Sequence, residues 1–360
     1  MSYLTEGWVL HEDKNPSISL EQFSFSNLLP EEVLAKPIYG CFEGNMLHAI
    51  ERSPINVCKE RKDKKVVLGN AGVVEVQDVG SSVTNVKKGQ KCLFFCNGEP
   101  DSYGFPKKIA GYDYPGSMGL LSKLTKVHER QLIPLPEDKS ISLQQWAAFS
   151  LRYITAWSNW QVAYACFLSQ INKVESDEIN VVAWGGGVAL AELTLANYYG
   201  CKTFMVTSNE ERQKLIENNK IVPINRNNFN RTNFEEEFIN YLDKITDHKR
   251  ASIFIDNIGG NLFNLTLKSL ARQGVLATSG WKDGAVVPYV RSLECINRHI
   301  FVHTHYARYS EGVEAVEFAV KNRWLPTLDD TCYEWDQIPQ LIEDYRVGKI
   351  STYFPIFAIN

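Results

Sequence analysis

The spacing of apolar positions changes partway along the chain. Up to Pro136 they fall in short valine-rich runs: Val66 to Val76 is broken at Gly69 and Gly72, a polar stretch runs from Val79-Gly80 to Lys88-Gly89-Gln90, and Cys92-Leu93-Phe94-Phe95 resumes the pattern. Such runs suit a pleated, half-buried surface, so the first part of the chain is predicted to form a small β-barrel rather than helices. A helix is expected just after Gly44, and Leu132 to Pro136 reads as an extended edge or linker.

Helical spacing takes over at Ser142, which suits an N-cap. Leu143 to Ala165 carries Trp146, Phe149, Tyr153, Trp157 and Trp160 at intervals of three and four, a stripe expected in the core. Apolar runs then alternate with helical stretches. The runs are Val181 to Trp184, Lys202 to Val206, Ser252 to Asp256, Gly274 to Thr278 and His299 to His303. One intervening helix is expected over Leu262 to Arg272, and two final helices over Glu311 to Asn322 and Asp336 to Gly348. This alternation predicts an α/β fold with a doubly wound parallel sheet.

One stretch carries chemistry. Val181-Val182-Ala183-Trp184 breaks at once into Gly185-Gly186-Gly187, and Leu190, Leu193, Ala196 and Asn197 then recur at helical spacing up to Gly200. Strand, glycine turn, helix and strand make the unit that binds a dinucleotide. Glycines let the backbone approach a pyrophosphate, and the free N–H groups and dipole of the helix N-terminus attract its charge. The spacing departs from G-x-G-x-x-G, because Gly185 and Gly187 fit but Leu190 holds the third position. Shifting by one residue puts Ala189 there and Trp184 first.

The second strand of the unit ends in Thr207-Ser208-Asn209, where an NAD site usually places an acid on the ribose 2′-hydroxyl. Arg212 and Lys214 follow, and Arg226 comes from the next loop. Ser208, Arg212, Lys214 and Arg226 suit a 2′-phosphate, so NADP is expected over NAD. The competing reading leaves Arg212 and Lys214 as ordinary solvated residues of a helix face.

Composition narrows the partners. With 360 residues the chain is long enough for two domains, and a net charge of -4 gives no reason to expect nucleic acid or an anionic membrane. Neither a leader between Met1 and Pro16 nor a bilayer-spanning run is recognisable. Eight scattered cysteines fit a reducing compartment, so a cytoplasmic location is expected.

The order of these pieces resembles the medium-chain dehydrogenase/reductase superfamily over almost the whole chain. The matching segments are Leu68-Gly69-Asn70-Ala71-Gly72-Val73-Val74, Val79-Gly80 with Lys88-Gly89, Ala147-Ala148 with Thr155-Ala156-Trp157, the glycine turn, Phe254-Ile255-Asp256-Asn257-Ile258-Gly259-Gly260, and Gly274-Val275-Leu276. The resemblance implies a GroES-like β-barrel catalytic domain over residues 1–150, completed by 305–360, and a Rossmann dinucleotide-binding domain over 151–304. It implies hydride transfer, with Thr155, Asn257, Ser279 and Gly280 by the nicotinamide and Gly185, Gly186, Gly187 and Val188 at the pyrophosphate. It also implies a homodimer, with the strand near His299 to His303 as the candidate edge.

Zinc-dependent members of that superfamily carry a cysteine, a His-Glu pair and a third ligand at places where this chain has Phe42, Asn70-Ala71 and Leu151. Cys92 and Cys96 stand alone where a structural zinc needs four donors. No metal is expected; Cys41, Glu43 and His48 are the set from which an atypical site would be rebuilt. Alcohol dehydrogenation without zinc lacks the Lewis acid that makes the alkoxide, whereas reduction of a polarised double bond needs only donors on the carbonyl oxygen and a proton for the α carbon. The zinc-free quinone reductases and enoyl-thioester reductases follow this pattern. Phe95-Cys96-Asn97-Gly98 with Ala110-Gly111-Tyr112-Asp113 looks most like the crotonyl-CoA reductase branch.

The expected activity is therefore NADPH-dependent reduction of an α,β-unsaturated carbonyl, with an enoyl thioester as the narrower reading. The alternatives are an alcohol or polyol dehydrogenase with an atypical zinc site and a nucleotide-binding protein without turnover. Asn45, His48, Tyr153 and Asn70 are the candidate donors, and each has a plain structural role as its alternative: cap, exposed helix residue, core ring and barrel amide. His303 and His305 with Tyr306 stand where the last strand enters a loop, a pair expected to be structural.

Overall fold

The computed structural model describes residues 2–13, 18–171, 175–280, 290 and 292–360, with only the backbone described at 176, 303 and 304. The chain divides into two compact units, Met1–Ile154 with Ala307–Asn360, and Thr155–Tyr306.

In the first unit the strands in chain order are β1 (Ser2–His11), β2 (Ile18–Ser26), β3 (Glu32–Cys41), β4 (Lys65–Val67), β5 (Gly72–Val79), β6 (Lys91–Phe94), β7 (Asn97–Pro100), β8 (Pro106–Ile109), β9 (Thr125–His128) and β10 (Leu132–Pro134). Helices α1 (Gly44–Glu51) and α2 (Val57–Arg61) lie between β3 and β4, and α3 (Leu143–Ser169) follows β10. The main sheet runs β10, β6, β5, β3 and then the C-terminal strands Ile356–Ala358 and Cys332–Tyr333, with β9 also paired to β3. Ile356 stands opposite Cys41, so the end of the chain closes onto the end of β3. Val73, Val74 and Val76 on β5 are all buried, which explains the valine spacing; Val73 stands opposite Leu93 and Val74 opposite Cys92 on β6, and Val76 opposite Ala35 on β3. Of the two readings of Leu132 to Pro136, the structure shows the edge: Leu132–Pro134 is the end strand of its sheet.

The N-cap of α3 is reciprocal: Gln145 N donates to Ser142 Oγ and Ser142 N donates to Gln145 Oε1, each at 3.1 Å. Its aromatic stripe is core, with Trp146, Phe149, Tyr153, Trp157 and Trp160 all buried.

The second unit carries β11 (Asn180–Trp184), α4 (Gly187–Tyr198), β12 (Lys202–Thr207), α5 (Glu210–Asn218), β13 (Val222–Asn225), α6 (Phe234–Ile245), β14 (Ala251–Ile255), α7 (Phe263–Ser269), β15 (Leu270–Thr278) and β16 (Phe301–Thr304). These strands form one parallel sheet in the order β13-β12-β11-β14-β15-β16, with the reversal of strand order beside β11. The helix expected over Leu262 to Arg272 ends earlier. Leu270 turns to extended backbone and pairs with Ala251, so the strand begins four residues before Gly274. Among the described residues no helix is long and apolar enough to cross a membrane.

Candidate functional site

In the second unit the turn after β11 is open and has an unusual backbone. Gly186 has φ +155° and ψ 157°, a conformation that essentially only glycine adopts, and a Cβ added there would meet no atom within 4 Å. Helix α4 starts directly behind it, with Leu190 N bound to Gly186 O at 2.9 Å. The N–H groups of Gly187, Val188 and Ala189 have no acceptor within the helix, because the first turn leaves such donors unpaired. Trp184 does not occupy the turn. Its ring packs 5.1 Å from Phe238 and 5.2 Å from Phe254, and its Nε1 donates to Thr266 Oγ1 at 2.7 Å.

At the end of β12, Ser208 is exposed and its carbonyl accepts from Asn227 Nδ2 at 2.9 Å. This bond ties the loop carrying Arg226 to the strand end, and the Arg226 guanidinium lies 4.9 Å over the ring of Phe234. Asn209 caps α5 by accepting from Arg212 N at 3.0 Å. The strand end at Ser208 and the loop carrying Arg226 are thus tied through Asn227, with Arg212 in the adjoining first turn of α5. Lys214, two residues further, is turned about 200° around the helix from Arg212 and is exposed. The nearest acids, Glu210 and Glu211, lie in the first turn of α5, where the helix dipole favours them. Asn227 was not singled out in the sequence; the Asn225-x-Asn227 turn, closed by Asn227 N to Asn225 Oδ1 at 2.9 Å, is the signal that marks it.

The loops after β14 and β15 are joined by one side chain. Asn257 Oδ1 accepts from Ser279 N at 2.8 Å and from Ser279 Oγ at 3.1 Å, while Asn257 Nδ2 is buried with no partner among the described residues. Gly280 is needed beside it, because a Cβ there would fall 2.8 Å from Asn257 O. Asp256 braces the first loop, accepting from Ile258 N, Gly259 N and Thr266 Oγ1. Thr155 is half-buried on α3.

In the first unit, four segments converge on a buried polar cluster: the end of β3, the start of α1, the turn before β5 and the middle of α3. Arg152 donates to Cys41 Sγ at 2.7 Å and to Phe42 O at 2.9 Å, and its Nη2 lies 3.1 Å from Glu43 Oε2. Burial pushes the Cys41 thiol up to about 12 and raises the Glu43 carboxyl as well, with Arg152 opposing both shifts. Burial also works against the guanidinium charge, but Cys41 and Glu43 more than offset it and hold Arg152 protonated.

Asn70 is fully buried in the turn before β5, and neither polar atom of its amide has a partner among the described residues. Cys41 N donates to Ala71 O at 3.0 Å and Gly72 N to Ser150 Oγ at 2.7 Å, so this turn is fixed to both β3 and α3. Asn45 Oδ1 and Glu43 Oε1 are likewise buried without partners.

The remaining sequence candidates fall differently. Tyr153 is core, stacked on Phe149 at 5.2 Å and packed on Trp324 at 4.7 Å. His48 is half-buried on α1, and Tyr306 is exposed after β16. The side chain of His303 lies outside the described residues. Phe42 is fully buried with its ring edge-on to Tyr345 at 5.1 Å, and Leu151 packs against the core. Among the described residues no three His, Cys, Asp or Glu side chains gather as a metal-holding group.

A parallel sheet with a glycine turn at its reversal point, accompanied by an antiparallel unit into which the chain's end is woven, defines a two-domain dehydrogenase/reductase fold. Comparison with known proteins agrees. No protein-family model matches the chain. It is 24% identical over 229 residues to quinone oxidoreductase-like protein 2 homolog from Nematostella vectensis, covering 63% of this chain and 53% of that one. It is 22% identical over 304 residues to acryloyl-coenzyme A reductase from Metallosphaera sedula, covering 79% and 82%. The match to the first of these thus spans about half of that relative's length. Among solved structures, 2-octenoyl-CoA carboxylase reductase CinF in complex with NADP and 2-octenoyl-CoA superposes with a TM-score of 0.83 at 15% identity, covering 99% of this chain and 87% of that one. Alcohol dehydrogenases share the fold as well. In fold and over much of its sequence the chain is thus similar to these reductases and dehydrogenases.

Proposed function

We propose that the protein is an NADPH-dependent, zinc-independent oxidoreductase that reduces an activated double bond, an α,β-unsaturated carbonyl and more narrowly an enoyl thioester. The observation that carries this reading is Asn70, a fully buried amide with an unpaired donor at a position where zinc-dependent relatives hold a ligand. The neighbouring donor set does not suit zinc. Phe42 and Leu151 offer no lone pair, and Cys41 and Glu43 already face the Arg152 cation.

In the second unit the open glycine turn fits a pyrophosphate, Ser208, Arg212 and Arg226 suit a 2′-phosphate, and the free Asn257 Nδ2 suits an amide-bearing ring. Lys214 is carried as an outer electrostatic contributor. The bound coenzyme would supply the hydride. Asn70 Nδ2 donates to the substrate carbonyl oxygen and stabilises the negative charge that builds there as the β carbon is reduced. Asn45 and His48, on the first two turns of α1, are the candidates for bringing a proton to the α carbon, and Tyr153 holds the wall of the site through its packed ring.

The relatives named quinone oxidoreductase-like and acryloyl-coenzyme A reductase support this class of reaction. We also infer a homodimer through the edge strand β16, whose Phe301 and Val302 are 48% and 46% exposed, and a cytoplasmic location suited to eight free cysteines. The test is NADPH oxidation against crotonyl-CoA, a simple enone, a quinone and an aldehyde, with and without a zinc chelator. Chelator-resistant turnover of the thioester is expected. Alcohol oxidation that is lost with the chelator would replace this reading with the alcohol dehydrogenase one, and coenzyme binding without turnover of any of the four would leave a nucleotide-binding protein.

A further inference from the structure

A groove in the first unit carries donors that the reductase chemistry does not use. Two adjoining cavities of about 510 and 190 Å³ lie beside the β7–β8 hairpin and share Pro100, Gly104, Arg130 and Tyr309. In the smaller, Gln131 is 5% exposed. Its Oε1 accepts from His128 N at 3.0 Å, but its Nε2 has no partner among the described residues. Gly98 leaves that donor open, since a Cβ there would stand 3.2 Å from Gln131 Nε2.

The charges around the groove are unevenly spent. Glu129 Oε2 is taken up by Thr84 N and Asn85 N, and Arg308 pairs with Glu311 at 2.9 Å while lying over the Phe105 ring at 5.3 Å. Arg308 Nε is buried without a partner among the described residues. Arg130 lines both cavities and has no carboxylate partner among the described residues; Glu99, also at the rim, is exposed. The unused groups among the described residues are thus three donors, Arg130, Arg308 Nε and Gln131 Nε2, against one buried acceptor, Asn85 Oδ1, a balance that calls for an oxyanion, and the apolar wall between them is Tyr309 and Pro100.

We propose that this groove binds a phosphate-bearing ligand with a flat apolar body, its phosphate held by Arg130 and Gln131 Nε2 and its body lying along Tyr309 and Pro100. Two sources share that chemistry: the nucleotide end of a coenzyme A thioester, which rests on the reductase reading, and a separate nucleotide.

Calorimetric titration of the full-length protein with adenosine 3′,5′-bisphosphate tests the site without any turnover, so its failure and the failure of the reductase reading are distinguishable. Saturable binding is expected, weakened roughly tenfold or more by Arg130→Ala and by Gln131→Leu. Arg130→Ala, a surface change, is expected to leave the unfolding temperature unaltered. No saturable binding to the wild-type protein, or equal affinity in both variants, would overturn the proposal. The two sources separate in the Arg130→Ala enzyme. A KM raised for crotonyl-CoA but not for the N-acetylcysteamine thioester assigns the site to the substrate's tail, and unchanged KM values for both assign it to a separate nucleotide.

Discussion

Arg152 Nη2 stands 3.1 Å from Glu43 Oε2 with side-chain exposures of 5% and 7%, joining the middle of α3 to the N-cap of α1. A buried ion pair of this kind holds its partners in register more than it stabilises the fold, since desolvation offsets most of the attraction. Removing one partner is a different matter. Here the pair, with Cys41, fixes the strand end and helix start on which Asn45 and His48 sit.

Arg152→Met is therefore expected to destabilise the protein by about 3–5 kcal/mol near neutral pH, measured by denaturant unfolding. The loss should deepen with rising pH. Without the guanidinium, Glu43 keeps its proton in the folded state above the ordinary value of 4.5, where the unfolded chain releases it. Adding Glu43→Gln should recover part of the loss and flatten the pH dependence; a double variant no more stable than the single one would show that the pair is not the source.

Asn70→Leu separates chemistry from folding. A buried amide with two unpaired atoms costs stability, so an apolar residue of similar size should leave the unfolding free energy unchanged or raise it by about 1–3 kcal/mol. Loss of the donor should lower kcat roughly 10²–10³-fold with coenzyme affinity intact. Full activity in this variant would remove Asn70 from the mechanism.

The order of strands and helices was legible because periodicity is a local signal: the valine spacing of β5 and the aromatic stripe of α3 reappear as buried faces. The glycine turn was legible for the same reason, a backbone conformation that restricts the residue type. Arg152 and Asn227 were not, because their roles depend on partners about 110 and 19 residues away in the chain, Phe42 and Ser208, and an isolated polar residue carries no periodicity. The helix expected through Arg272 failed where pairing of Leu270 with Ala251 overrode helical spacing.

Gly186→Ala places a Cβ in open space but forces a conformation that side chains rarely adopt. A strain of about 1–3 kcal/mol is expected as a lowered unfolding temperature. The larger effect should fall on NADPH affinity in a fluorescence titration, because the turn would relax away from the pyrophosphate. Unaltered affinity would detach the turn from coenzyme binding.

Coenzyme choice is expected to rest on Arg226, positioned by the Asn227 to Ser208 bond and stacked on Phe234. Arg226→Ala should weaken NADPH binding roughly tenfold and leave NADH nearly unchanged, the signature of one lost charged contact to a phosphate. Equal weakening of both coenzymes would assign Arg226 to the fold rather than to the 2′-phosphate.

Glu192 gives the second unit its own pH dependence. It lies fully buried on α4, takes a hydrogen bond from Asn159 Nδ2 at 2.8 Å through Oε1, and has Oε2 without a partner among the described residues. Burial pushes its carboxyl well above the ordinary 4.5, the Asn159 bond opposing. The folded state thus holds a proton that the unfolded chain releases once the pH passes 4.5. Bound protons are more numerous in the folded state above that point, so this residue's contribution to stability falls as pH rises, by up to about 1.4 kcal/mol per pH unit, until the folded-state group ionises. Glu192→Gln keeps the shape and one oxygen acceptor but cannot ionise. Its stability relative to the parent should climb with pH between 5 and 8 in matched urea titrations, and a pH-independent difference would mean that Glu192 is already ionised in the folded protein.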